Sequence, residues 1–245
     1  MDKSLIKGVV VPILTPIDEN ERIDEEKLRS QVDYVIEGGV LGILAFGSNG
    51  EFYMVEEDEM ERGLEIMISQ SNGRVPVYFG IGAISTKKCV RLAKMAIKKG
   101  AYGISVLQPM FLKPTEEELF LHFKTIADAV PSTPMLLYNN PGRVGYTMSA
   151  NLVDRLAHEV ENIVGMKDTS GDITQMEEVI RRTRDVDFKV LVVRILSFMP
   201  LSAMELWEEY ALQPTSCHTL LQMYTINSLL EISRDLWRRS SNSIL

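Results

Sequence analysis

Positive charge is in short supply: 26 Lys and Arg stand against 34 Asp and Glu, for a net charge of −8 over 245 residues. A phosphate backbone is bound by a basic face, so this balance points away from a nucleic-acid partner, and also from an anionic membrane surface. Cysteine is scarce too. Cys89 and Cys217 cannot make a disulfide framework, and neither sits in a metal-ligand spacing. The three histidines, His122, His158 and His218, are far apart and form no HxxxH pattern. Zinc chemistry and a histidine-based triad therefore fit poorly, and no metal is expected. No apolar run reaches the length of a membrane-spanning helix. The first residues, MDKSLIKGVV, lack both a signal-peptide core and a small-residue cleavage site. The expectation is a soluble, cytoplasmic protein. Glycine is missing where it would be most informative: all 16 lie between Gly8 and Gly171, and none falls in the stretch from Val192 to Leu245, which holds both tryptophans, Trp207 and Trp237.

The rest of the composition is that of an ordinary globular chain, 45% hydrophobic and 24% charged. Short apolar runs alternate with helix-period segments. The runs are GVVVPIL (8–14), LGILAF (41–46), VPVYFGI (75–81), AYGISVL (101–107), PMLLYN (134–139), NIVGMK (162–167) and FKVLV (188–192). Each is continuous rather than alternating, as in parallel strands buried on both faces. Between them, Leu28, Val32, Val35 and Ile36 follow a helical period that Gly38 and Gly39 stop. Met60, Leu64, Met67 and Ile68 repeat it, as do Ile173, Met176, Val179 and Ile180. Ser85 suits an N-cap, the next helix ends at Lys98-Lys99-Gly100, and Thr115 with Glu118 forms a capping-box pattern. The order is strand then helix six times, followed by a seventh strand, which requires a parallel sheet. A (β/α)₈ barrel and an open doubly wound sheet both fit. Regular unit length and polar residues at most strand C-termini favour the barrel, whose reactive groups gather at that rim.

Three strand ends carry chemistry. The sixth ends in GMKDTSG, placing Lys167 where burial would disfavour its ammonium; a neutral amine can attack a ketone to form a Schiff base. The bland alternative is a lysine snorkelling to solvent. Asp168 reads as the cap of the following turn. The fifth ends in Tyr138-Asn139-Asn140-Pro141-Gly142-Arg143. There a tyrosine can relay a proton and an arginine can take a carboxylate, although Asn-Pro-Gly is also turn chemistry in its own right. The second runs into Gly47-Ser48-Asn49-Gly50-Glu51, where flanking glycines let backbone N–H groups converge on an anion.

Together GSNGE (47–51), YNNPGR (138–143) and GMKD (165–168), with VPILTP (11–16), resemble the dihydrodipicolinate synthase/N-acetylneuraminate lyase family over residues 5 to about 192. The resemblance implies a (β/α)₈ TIM barrel, here with strands one to seven recognisable and strand eight and the C-terminal helices not. It implies a carbon–carbon lyase or synthase that condenses or releases pyruvate through a lysine Schiff base. The reaction would be that of a 4-hydroxy-tetrahydrodipicolinate synthase or of a 2-oxo-acid aldolase acting on 4-hydroxy-2-oxoglutarate or a 2-keto-3-deoxy sugar acid. Lys167 is then the imine lysine and Tyr138 the proton shuttle. Gly47, Ser48 and Asn49 hold the pyruvate carboxylate, with the Ser48 hydroxyl in place of the usual threonine. Arg143 receives a carboxylate on the second substrate, an aldehyde or semialdehyde acid. No cofactor beyond the covalent imine is implied, and the assembly implied is a homo-oligomer. Two departures stand out. The family loop usually reads Gly-Thr-Thr-Gly-Glu, and Asn49 is closer to some hydroxy-oxoacid aldolases. The synthase's proton-passing tyrosine before a Lys/Arg-Pro pair is replaced by Phe111, in Gln108-Pro109-Met110-Phe111-Leu112-Lys113-Pro114. The competing reading is a non-catalytic, truncated or effector-binding relative. A weaker one is a phosphate-binding barrel using GSNGE and GIGA (80–83).

The resemblance stops after Val192, where the glycine-free stretch begins. Residues 193–245 are therefore read as an atypical tail, separate from a catalytic domain at 1–192. Back-translation with a displacement of a single nucleotide lets Leu236 to Leu245 read as the family's C-terminal helix, and residues 193–235 as the preceding strand, loops and helix. The expectation is an out-of-frame, poorly ordered tail that supplies no eighth strand; the alternative is a divergent tail forming helices over Met204 to Leu212 and Leu229 to Trp237. Independent sequencing across the codon for Val192 tests it, and an intact frame overturns it.

Overall fold

A computed structural model of the chain describes residues 9–192. The expectations about residues 193–245, the displaced frame among them, lie outside these residues.

The predicted alternation is present throughout. The elements run β1 (Val10–Pro12), α1 (Glu25–Glu37), β2 (Gly42–Ala45), α2 (Glu57–Ser71), β3 (Val77–Ile81), α3 (Thr86–Lys98), β4 (Gly103–Leu107), α4 (Glu116–Asp128), β5 (Met135–Asn139), α5 (Pro141–Val144), α6 (Ala150–Glu159), β6 (Ile163–Asp168), α7 (Ile173–Arg182) and β7 (Lys189–Val192). Two helices follow β5 where the sequence pattern marked no helix. The short α5 begins on a proline, whose missing N–H costs nothing in a first turn. Helix α6 is opened by Ser149, whose side chain accepts from Leu152 N–H.

The caps read from the sequence are made. Ser85 accepts from Lys88 N–H, and Thr115 and Glu118 form a reciprocal capping box. Asp24 and Asp172 cap α1 and α7 in the same way, on Lys27 and Gln175 N–H. Such a cap contributes about 1 kcal/mol.

All seven strands are parallel and lie side by side in chain order, β1 to β7. A doubly wound sheet reverses its strand order at a switch point. This one does not, so the arrangement is that of a TIM barrel with seven strands among the described residues. Within those residues, β1 and β7 each pair on one side only.

The main core lies between the sheet's outer face and the helices. Ile43, Phe79, Ile104, Leu137 and Met166 from the strands pack with Leu28, Leu64, Leu92, Phe123 and Leu156 from the helices. A second, small cluster of Leu136 and Val164, with Tyr102 and Leu191 against it, fills part of the inner face. Fully burying such a side chain contributes about 1.5–3 kcal/mol. His122 of α4 is also buried, with Nδ1 at 2.8 Å from Thr86 Oγ1, and burial holds its pKa down at about 4. It is therefore a neutral core histidine at physiological pH. Cys89 is buried as well; its thiol donates to the Ala83 carbonyl, and burial pushes its pKa up to about 11, so it is no nucleophile.

One irregularity matters for the site. Met135 pairs with Ile163, but the next residue, Leu136, pairs with Gly165. Strand β6 thus carries one extra residue, Val164, a bulge that offsets everything after it by one. As a result Tyr138 is level with Lys167, and Asn139 with Asp168. Direct partners in neighbouring parallel strands face the same side, so Tyr138 and Lys167 share the inner face at the strand C-termini.

Candidate active site

Lys167 is 7% exposed, and its Nζ lies 4.1 Å from the centroid of the Tyr138 ring. Burial in this apolar strand lowers its pKa from 10.5 to about 8. The snorkelling alternative is excluded, because the amine stays inside. The aromatic face gives the ammonium some of what water would have supplied, so both protonation states are accessible near neutral pH.

Tyr138 is buried, and its hydroxyl has two partners. The Ser48 hydroxyl lies 3.1 Å away, and the Asn140 side-chain amide donates to it at 2.8 Å. Three of the expected residues, Lys167, Tyr138 and Ser48, are thus brought together from β6, β5 and the loop after β2.

That loop is shaped differently from the sequence expectation. Its left-handed residues are not the glycines but Phe46 (φ 52°) and Glu51 (φ 51°), one on each side of it. Non-glycine residues in this region cost of order 1–3 kcal/mol each, and such strain collects at functional sites. Gly50 is needed for space instead: a Cβ there would lie 3.0 Å from the Ile13 carbonyl oxygen and 3.2 Å from Thr15 Oγ1. Gly50 N–H donates to the Gly47 carbonyl, and Thr15 Oγ1 donates to the Gly50 carbonyl. Among the described residues, no group accepts from the backbone N–H of Ser48 or Asn49. Those two donors, beside the Ser48 hydroxyl, suit an anionic oxygen. Gly47 is buried, Ser48 half-buried and Asn49 exposed.

Arg143, on α5, is exposed, and its guanidinium has no ion-pair partner among the described residues. It follows the same strand end but makes no hydrogen bond to Tyr138 or Ser48. Asp168 is fully buried and does what was expected of it: its Oδ1 accepts from Ser170 N–H (2.8 Å), closing the turn after β6. Its Oδ2 accepts from the Asn139 amide at 2.6 Å, which the sequence did not signal. Gln108, also fully buried, bridges the ends of β4 and β5 by donating to the Tyr146 carbonyl and accepting from Asn140 N–H. Tyr146 in turn donates to the Pro109 carbonyl, and burial raises its pKa to about 12. Phe111 is 89% exposed with φ 83°, so its ring contributes nothing to the Tyr138 cluster.

A cavity of about 420 Å³ lies beside the rim, lined by Gly80, Gly82 and Ala83 with Phe52, Met54 and Met60. Its lysine, Lys88, lies 3.4 Å from Glu57, and the lining is largely apolar. This disfavours the phosphate-binding reading. Among the described residues, no cluster of His, Cys, Asp and Glu could hold a metal, and no helix is long and apolar enough to cross a membrane.

Comparison with known proteins agrees with this fold. The 4-hydroxy-tetrahydrodipicolinate synthase of Pelobacter propionicus is 42% identical over 181 residues, 74% of this chain and 61% of that protein. The chain thus spans about three fifths of the length of the curated relatives it matches. Among solved structures, the chloride-inhibited dihydrodipicolinate synthase of Acinetobacter baumannii, complexed with pyruvate, superposes with a TM-score of 0.73 at 35% identity, over 76% of this chain and 63% of that one. YagE of E. coli K12, a prophage protein of the dihydrodipicolinic acid synthase family in complex with pyruvate, does so with a TM-score of 0.74 at 30% identity, over 77% and 63%. The model of the dihydrodipicolinate synthetase family matches residues 5–192. By sequence and by fold, the chain belongs to the dihydrodipicolinate synthetase family.

Proposed function

We propose that this chain carries the pyruvate-activating half of a carbon–carbon lyase or synthase, working through a Schiff base on Lys167. The observation that carries the reading is the buried amine of Lys167 against Tyr138, whose hydroxyl meets Ser48. Relatives that are named 4-hydroxy-tetrahydrodipicolinate synthase, and pyruvate complexes of similar structures, support it.

In this reading neutral Nζ adds to the carbonyl carbon of pyruvate. The resulting carbinolamine loses water, with Tyr138 passing a proton to the departing oxygen, and leaves a protonated imine. The imine draws electrons from the adjacent C–H bond. Loss of a methyl proton gives an enamine, whose carbon attacks the aldehyde carbonyl of the second substrate. Hydrolysis of the imine then frees the product and regenerates the amine. The Ser48 and Asn49 N–H groups, with Gly47 behind them, hold the pyruvate carboxylate. Arg143 receives a carboxylate on the aldehyde partner in this reading, which its exposure and its lack of an ion-pair partner among the described residues support. No metal or organic cofactor enters, and the working state is a homo-oligomer in the cytoplasm.

The lowered pKa sets the pH dependence. At pH 7 an amine of pKa about 8 is neutral in about a tenth of molecules, against about 3 in 10,000 at the ordinary 10.5. Incubation with pyruvate and borohydride is expected to add one reduced pyruvate to Lys167, at a rate that rises with pH and levels off above about 8. Folded protein that takes up no adduct overturns the proposal.

The exposed position of Phe111 favours one second reading, a relative that binds pyruvate covalently without turnover. Trapping at Lys167 with no aldol product across a panel of aldehydes would support it.

A further inference from the structure

The pyruvate mechanism above gives Tyr138 a proton to pass but does not say which way its O–H points. We infer that Asn140 sets this direction and is a positioning residue for the proton relay, an inference that rests on the pyruvate reading.

Tyr138 Oη has two neighbours at hydrogen-bond distance, and they are not equivalent. The Asn140 side-chain NH₂ can only donate, and it reaches Oη at 2.8 Å. The Ser48 hydroxyl, at 3.1 Å, can donate or accept. With Asn140 donating to the phenol oxygen, the phenolic hydrogen is directed to Ser48 Oγ. The Ser48 hydrogen is then free to point onward, toward the backbone N–H groups of its loop where the carboxylate is proposed to sit. The relay acquires an order: when Tyr138 has given its proton to the departing oxygen, Asn140 keeps donating to Oη, and Ser48 turns to return a proton to Oη and draws its replacement from solvent.

Asn140 is built to hold that position. It is 8% exposed, its backbone N–H donates to the fully buried Gln108, and its carbonyl accepts from Arg143 and Val144 N–H at the start of α5. Its φ of −136° places it between strand and helix, so its side chain turns to the face opposite that of its neighbour. Asn139 serves that other face, bonding Asp168, Thr147 and the Met148 N–H. Two consecutive asparagines in a turn therefore do separate work: one locks β5 to β6, and the other addresses the reactive tyrosine.

A double-mutant cycle separates this from a structural role. The full chain carries Asn140→Leu, which is close to isosteric, or Asn140→Ala, each with Tyr138 intact and with Tyr138→Phe. The readouts are the initial rate of borohydride-trapped pyruvate at Lys167 and the half-saturating pyruvate concentration. With Tyr138 present, both variants are expected to slow trapping about 10-fold, a part of the usual general acid–base contribution, and to leave half-saturation unchanged. In the Tyr138→Phe background neither should slow it further. Trapping at the parent rate in both variants overturns the inference, as does an equal loss in the two backgrounds, which would mark Asn140 as structural support only. If the parent chain takes up no pyruvate while Tyr138 and Lys167 remain folded, the functional reading itself fails, and this inference with it.

Discussion

Lys167→Met is expected to be both the least reactive and the most stable variant of this protein. The loss of reactivity is direct: without the amine no imine forms, and pyruvate trapping should fall at least about 10³-fold. The gain in stability follows from burial. The folded pKa of Lys167 is about 8 and the unfolded value 10.5. Below pH 8 both states hold the proton, and the fold bears the whole cost of an ammonium removed from water. That cost amounts to about 3 kcal/mol at 1.36 kcal/mol per pKa unit. Between pH 8 and 10.5 the unfolded chain binds a proton that the folded one has lost, so the stability of the parent rises with pH across this window. Methionine fills similar space without charge. At pH 7 it should raise the melting temperature by roughly 5–10 °C, and the difference should vanish above about pH 10.5. Thermal melts of both proteins at pH 7 and pH 10.5 check this. A variant that melts below the parent at pH 7 would mean that the lysine is a structural support rather than a reactive group held at a cost.

Gly80→Ala is expected to do the opposite, harming the fold and the site together. A Cβ at Gly80 would lie 2.5 Å from the Phe46 carbonyl oxygen and 2.9 Å from its carbon. Both atoms belong to the backbone, so no rotamer change can relieve the clash. Phe46 is already in a left-handed conformation and leads straight into Gly47 and Ser48. The strand pair β2–β3 must therefore part, or the loop must move away from Tyr138. We expect a loss of about 3 kcal/mol, the upper end of the usual overpacking cost, and a several-fold rise in the pyruvate needed for half-maximal trapping. Gly47→Ala is the control: its Cβ would meet Leu44 and Pro12 at 3.4 and 3.5 Å, ordinary contact, and its φ is not positive. That variant should fold like the parent. A Gly80→Ala protein with the parent's melt and half-saturation would show that the β2 loop is not held by this contact.

Most of the frame was legible because it is written in repeated local signals. Seven continuous apolar runs mark seven strands, and Ser85 and Thr115 cap the helices their positions suggested. Lys167 and Tyr138 were legible as polar residues ending apolar strands, which is a one-dimensional feature. Three things were not. Left-handed backbone at Phe46, whose carbonyl lies close against Gly80 of β3, and at Glu51 is announced by nothing in the residue types. Asn140 was hidden by Asn-Pro-Gly, because turn chemistry already accounts for an asparagine there, and its bond to Tyr138 depends on a side-chain direction. The pairing of Asn139 with Asp168 joins residues 29 apart in the chain and follows only once β5 and β6 are in register.

That register has a consequence of its own. Were β6 paired straight, with no bulge at Val164, Tyr138 would stand level with Met166, and the amine of Lys167 would turn outward among the helix-facing side chains. Every reactive group would still be present, in the same order and with the same neighbours in sequence, and the chemistry would be gone. The site is thus specified by a count as much as by identities. Val164, an aliphatic residue of the small inner cluster, is the one that the bulge leaves out of the count, so a one-residue insertion between it and Lys167 is a lesion of a different kind from any substitution nearby.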